Sequence, residues 1–145
     1  MASAADFLSE TEQQKIVSAI AAAEKRTVGE IRVHLENWCW IDAKKHAEDL
    51  FLKLGMDKTV ERTGVLIYLA VKSHKIAIIG DTGINAKVPA DFWQSTLDHA
   101  LVCFKENRYA DGIVEAVNQC AAPLELHFPK TGTNPDELPN EISFG

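Results

Sequence analysis

This chain is poor in cysteine, has no long apolar run and gathers no patch of basic residues. Its three cysteines, Cys39, Cys103 and Cys120, stand far apart among 145 residues with no C-x-x-C pair. That argues against a disulfide framework and for free thiols, buried or half-buried. No apolar stretch approaches the ~20 residues that a membrane helix needs. The opening MASAADFLSETEQQK has no basic region followed by an apolar core, so it does not read as a secretory signal. The expectation is a soluble, cytoplasmic chain with no direct membrane span. Lys and Arg number 15 against 21 Asp and Glu, for a formal charge of -6. No basic face is available for phosphate backbones, so nucleic acid is not expected as a partner.

The usual catalytic signatures are absent as well. The histidines at 34, 46, 74, 99 and 127 show neither H-E-x-x-H nor paired i, i+4 spacing, which leaves zinc without support. There is no G-x-S-x-G, no P-loop and no G-x-G-x-x-G. Cys39 between Trp38 and Trp40 reads either as a nucleophile or as packing between aromatics.

What is present is an ordinary globular composition, 46% hydrophobic and 25% charged. Residues 1–128 read as one domain and 129–145 as an extended arm carrying Pro129, Pro135 and Pro139. The arm is expected to tack Leu138, Ile142 or Phe144 onto the body. The centre of the domain is Thr63–Gly83, in which Val65–Val71 and Ile76–Ile79 flank the polar Lys72-Ser73-His74-Lys75. Two such runs predict a hairpin, and their unbroken apolar character predicts cover on both faces.

Helices supply that cover. Ser9-Glu10-Thr11-Glu12 is a capping box before a helix to about Lys25. Glu30–Glu36 alternates charged and apolar residues, as a strand at or near a sheet edge does. A helix follows from Asp42 to about Leu54, ended by Gly55. Strand, helix, strand predicts that Glu30–Glu36 and Val65–Val71 run parallel. A third helix opens near Pro89, with Trp93, Leu97, Leu101 and Phe104 on one stripe. A fourth spans about Ala110 to His127, and Pro123 should kink or end it. The expected architecture is a three-layer α/β/α sandwich with a small mixed sheet and about four helices.

Strand direction decides which loops meet. Thr27–Glu30, Arg62–Gly64 and Gly80–Gly83 should share one rim, bringing Glu30, Arg62 and Asp81 together with several threonines. Carboxylates, hydroxyls and backbone carbonyls suit Ca²⁺ or Mg²⁺. A nearby arginine suits a phosphate. The plainer readings are that Gly80-Asp81-Thr82-Gly83 is a turn and Glu30–Arg62 a surface ion pair. The opposite rim carries Glu36, Trp38, Trp40 and His74, where an open α/β sheet usually places a ligand crevice. Its tryptophans read either as partner anchors or as filler between helix and sheet.

The order of Leu8-Ser9-Glu10-Thr11-Glu12, Gly29-Glu30-Ile31-Arg32-Val33, Gly55-Met56-Asp57-Lys58-Thr59, Gly64-Val65-Leu66-Ile67-Tyr68, His74-Lys75 and Gly80-Asp81-Thr82-Gly83-Ile84 resembles the TPM domain. The resemblance runs over nearly the whole chain, including the tail motif from Glu137 to Ile142. It implies an α/β/α sandwich and a phosphatase-like activity using a divalent metal at acidic residues. Glu30 and Asp81 would hold the metal, and Arg62 or Arg32 would grip a phosphate-containing substrate. The alternative is a non-catalytic binding or assembly module that meets a protein partner through Trp38 and Trp40.

Overall fold

Ser9 starts the first helix as its sequence requires. In this computed structural model, which describes residues 4–130 and 142–145, its hydroxyl accepts the Glu12 N–H at 3.1 Å. The Glu12 carboxylate accepts the Ser9 N–H at 2.9 Å. With both amides satisfied, α1 (Glu10–Glu24) turns Ile16, Ile20 and Ala23 into the core.

Strand β1 (Glu30–Glu36) sends Ile31, Val33 and Leu35 to that same core, while Glu30, Arg32, His34 and Glu36 point the other way. Helix α2 (Ala43–Lys53) begins at Asp42, whose carboxylate accepts the Lys45 N–H at 3.1 Å. It packs Ala47 and Phe51 against Leu66, Tyr68 and Ala70. Gly55 follows in the left-handed region at φ 71, where a side chain would be strained.

Strand β2 (Gly64–Ala70) is buried along its whole length, as its unbroken apolar run requires. It pairs in parallel with β1, from Glu30↔Gly64 to Glu36↔Ala70, and antiparallel with β3 (Lys75–Gly80). Helix α2 covers one face of the sheet. On the other, α1 and α5 (Tyr109–His127) pack together, with α4 (Phe92–Lys105) beside α5. The result is an α/β domain with a mixed sheet between helical layers.

Several elements differ in detail from expectation. The sheet has a fourth strand, β4 (Ser143–Phe144), which pairs in parallel with β1 and gives the order β3-β2-β1-β4. Ile142 joins the core while Phe144 stays 40% exposed, and Leu138 lies outside the described residues. Strand β1 lies next to the edge, as expected, but its polar face is covered, with Ser143, Tyr68 and His46 packed against His34 and Glu36: Glu30 and His34 are 3% and 4% exposed.

The Gly80–Gly83 segment is more than a turn. Asp81 caps a short helix, α3 (Thr82–Asn85). Helix α4 begins after Pro89; Trp93 and Leu97 pack partly buried against the core as expected, beside the buried Thr96, Ala100 and Phe104. Leu101 lies at the margin. Helix α5 runs through Pro123 to His127, because a proline near the helix end forfeits only one hydrogen bond.

Candidate functional site

Two ends of the sheet carry polar side chains. At the amino ends of β1 and β2 the backbone itself assembles the rim. The Glu30 N–H donates to Thr63 O at 3.4 Å, the Asp81 N–H to Gly64 O at 2.9 Å, and the Gly83 N–H to Arg62 O at 2.8 Å. Glu30, Arg62 and Asp81 therefore stand on one rim, together with Thr63 and Thr82. Arg62 adopts a left-handed backbone at φ 56, a conformation uncommon for a side-chain-bearing residue. Its Nε donates to Asp81 Oδ2 at 2.9 Å, while Asp81 Oδ1 accepts the Thr82 N–H at 2.7 Å. The carboxylate holds the guanidinium charge even more firmly than usual. Asp81 is buried and Arg62 half exposed. One edge of the guanidinium is thus anchored and the other faces outward.

Arg32 is placed differently. It lies two residues into β1, on the same face as Glu30 and His34 and opposite Leu66, so it belongs to the sheet face rather than to the Arg62 loop. Its Nε is buried without a hydrogen bond among the described residues.

The carboxyl ends of β1 and β2 hold a second constellation. Glu36 Oε2 accepts the Tyr68 hydroxyl at 2.5 Å and lies 2.9 Å from His46 Nε2; Glu36 Oε1 lies 3.2 Å from His34 Nε2. His34 Nδ1 meets Ser143 Oγ at 2.8 Å. Both imidazoles also contact the Tyr68 ring, His34 stacked and His46 edge-on. One carboxylate thus serves three donors. Burial lowers the His34 pKa below the usual histidine range, against the pull of Glu36. Burial and the bond to Glu36 raise that of Tyr68, which keeps its proton throughout the physiological range.

Histidine spacing alone concealed this cluster. The available signal was His34 and Glu36 two apart on a strand, hence on one face. His46 arrives from a helix and Tyr68 from another strand, which no local pattern announces.

The loop after β1 projects Trp38 and Trp40, 47% and 81% exposed. Their rings stack with centroids 5.1 Å apart and planes within 8°. They do not fill the gap between helix and sheet. Cys39 between them turns inward, its thiol donating to Ile41 O at 3.2 Å, which removes it as an accessible nucleophile. Cys120 sits in the core, where burial pushes its thiol up to about 12.

Among the described residues, no three His, Cys, Asp or Glu side chains converge as a metal cage. No described helix is long and apolar enough to cross a membrane. The chain is 44% identical to the BA42 protein of the psychrophilic bacterium Bizionia argentinensis. Its NMR structure superposes with a TM-score of 0.89, covering 96% of both chains. The N-terminal domain of a P. gingivalis protein shares the fold at 16% identity and a TM-score of 0.72, over 86% of this chain and 80% of that one. The N-terminal domain of the cg2496 protein of Corynebacterium glutamicum does so at 15% identity and 0.60, over 81% and 74%. No curated protein matches. The model of the TPM domain matches residues 1–122, and the chain belongs to the TPM-domain family.

Proposed function

We propose that this domain binds and hydrolyses phosphate esters at the Glu30–Arg62–Asp81 rim. The observation that carries this reading is the Arg62–Asp81 pair. Asp81 fixes the Nε edge of the guanidinium, and the terminal nitrogens find no acceptor among the described residues. A planar fork held from behind is prepared for a phosphate in front. The exposed Thr82 hydroxyl stands at the same rim to orient an oxygen.

The donor set fits a hard cation only in one manner. Glu30 and Asp81 give two carboxylates and no cage, which suits an ion that keeps several waters and completes its shell with substrate oxygens, as Mg²⁺ does. Such an ion, when bound, supplies neutralisation of the phosphate charge and an acidified water. Arg62 binds the non-bridging oxygens, and Asp81 keeps Arg62 in place.

Calorimetric titration of Mg²⁺ and Ca²⁺, with and without a small phosphomonoester, tests this reading. One-site binding is expected for the wild type and should be lost in Asp81→Asn. Arg62→Ala should weaken phosphoester binding roughly tenfold, the size of a charge-assisted bidentate contact. Absence of binding by the wild type at millimolar metal and ester would overturn the proposal.

A second reading rests on a separate observation, the solvent-facing Trp38–Trp40 stack. Large aromatic side chains held rigid at the surface are typical interface anchors. On this reading the domain is a binding module with a protein partner at that loop. Alanine at both tryptophans should abolish capture of the partner and move the urea unfolding free energy by less than about 0.5 kcal/mol, because neither ring is in the core. A loss of several kcal/mol would instead mark the pair as structural.

A further inference from the structure

At the end of the sheet opposite the Arg62 rim, the turn between β2 and β3 and the facing ends of α4 and α5 enclose a cavity of about 260 Å³. Its floor is apolar: Leu69, Val71 and Phe104 are buried there, and Ile76 packs beside them. Leu101, 36% exposed, and Tyr109 form the side nearer solvent. The wall carries two lysines, Lys75 and Lys105, and the imidazole of His74.

We infer that this cavity is a binding site for a small amphiphilic anion, an aliphatic carboxylate whose chain enters between Leu69, Ile76 and Phe104 and whose head meets Lys105 and His74. The charge pattern selects an anion. The chain as a whole carries -6, yet no Asp or Glu lines this cavity. The neighbouring Glu106 is paired with Arg108 at 3.4 Å, and Arg108 also reaches Asp111. Lys75 is not the head-group ligand, because its amine already donates to Cys39 O and Ile41 O, both at 3.0 Å. Lys105 and His74 are exposed, and neither forms a side-chain hydrogen bond or ion pair among the described residues.

The size selects a short chain. The volume lies just below the usual range for drug-sized ligands, enough for a molecule of roughly ten heavy atoms. Apolar burial supplies the affinity, and the exposed ammonium adds selectivity at the mouth. The left-handed backbone of His74, at φ 54, turns the chain sharply where the mouth forms.

Titration of octanoate, below its micelle concentration, into the whole 145-residue chain followed by ¹⁵N amide shifts tests the inference. Saturable shifts are expected at Ile76, Phe104 and Tyr109. Lys105→Gln should weaken octanoate about fivefold, the upper range for an exposed ion pair. Leu101→Gln, at a position exposed enough to leave folding intact, should weaken it about tenfold through lost apolar contact. Octan-1-ol and octylammonium, run in parallel, should bind several times more weakly than octanoate. Equal binding of octylammonium would overturn the anion assignment. Shifts that grow without saturating, or that appear elsewhere, would overturn the site.

Discussion

Glu36→Ala is expected to remove about 3–5 kcal/mol of folding free energy, the range for deleting one partner of a buried charged network. The side chain of Glu36 is 14% exposed and that of His34 5%. Truncation strands three donors at once: the Tyr68 hydroxyl, His46 Nε2 and His34 Nε2. Tyr68 suffers most, because it is fully buried and no water reaches it. Glu36→Gln keeps the shape and one good acceptor, but places an amide NH₂ against a donor, so an intermediate loss is expected. Urea unfolding at pH 7.5 measures both. A loss below about 1 kcal/mol for Glu36→Ala would show that water replaces the carboxylate and that the cluster contributes little.

The same cluster sets a pH dependence. His34 has its pKa lowered in the folded state, chiefly by burial. Above the unfolded value, about 6.5, both states hold the neutral ring and nothing changes. As pH falls below that, the unfolded chain takes up a proton that the folded chain resists, so stability declines until the folded-state pKa is passed. His34→Asn, read against the wild type between pH 8 and 5, should flatten this decline. Glu36, His46, Arg32 and Tyr68 all face the ring and shape the curve. A wild-type profile that is flat from pH 7 to 5, after correction for the carboxylates, would contradict the assignment.

Gly83→Ala is expected to cost about 2–3 kcal/mol and to abolish ligand binding at the Arg62 rim. A methyl group there would lie 2.1 Å from Glu61 O and 2.6 Å from Arg62 O. Both are backbone atoms, so no rotamer change relieves the clash, and overpacking of this kind costs ~1–3 kcal/mol or more. The loop must move, which breaks the Gly83 N–H bond to Arg62 O and carries Arg62 away from Asp81. Gly80→Ala is the informative contrast. Its methyl group would meet Trp93 Cζ2 at 2.2 Å. That atom belongs to a side chain, held by a bond from Nε1 to Asn85 Oδ1 at 2.7 Å, and the ring can swing out at a smaller cost. Equal stability of Gly83→Ala and the wild type would mean that the loop is already loose.

Much of this molecule was written locally. Ser9 and Glu12 announced the first helix because a capping box is an interaction over three residues. Val65–Val71 announced a strand covered on both faces because nothing polar interrupts it. Strand, helix, strand, hairpin then set the directions, and directions alone brought Glu30, Arg62 and Asp81 to one rim. Each of these follows from periodicity, caps or topology, which are carried by neighbours in the chain.

Other features depended on which surfaces meet. Ser143 lies 109 residues from His34, and nothing in either segment states that they will pair. Pro123 by its type should kink or end the regular part of a helix reaching His127; α5 continues through it, with Cys120, Ala121 and Leu124 packed on the core. Trp38 and Trp40 can be read as filler between helix and sheet or as surface anchors, and the first reading has the general burial of tryptophan on its side; both rings face solvent instead. Cys39 turns inward and the rings on either side of it face outward. Glu36 read as one charge on a polar strand face; His46 from a helix and Tyr68 from the next strand made it the centre of a buried network. The sequence by itself determined the longer elements, their directions and which residues meet at the acidic rim, because these rest on short-range hydrogen bonding and hydrophobic period. Tertiary structure alone decided what lies covered and what stays open, because burial is a property of two surfaces and each segment encodes only one of them.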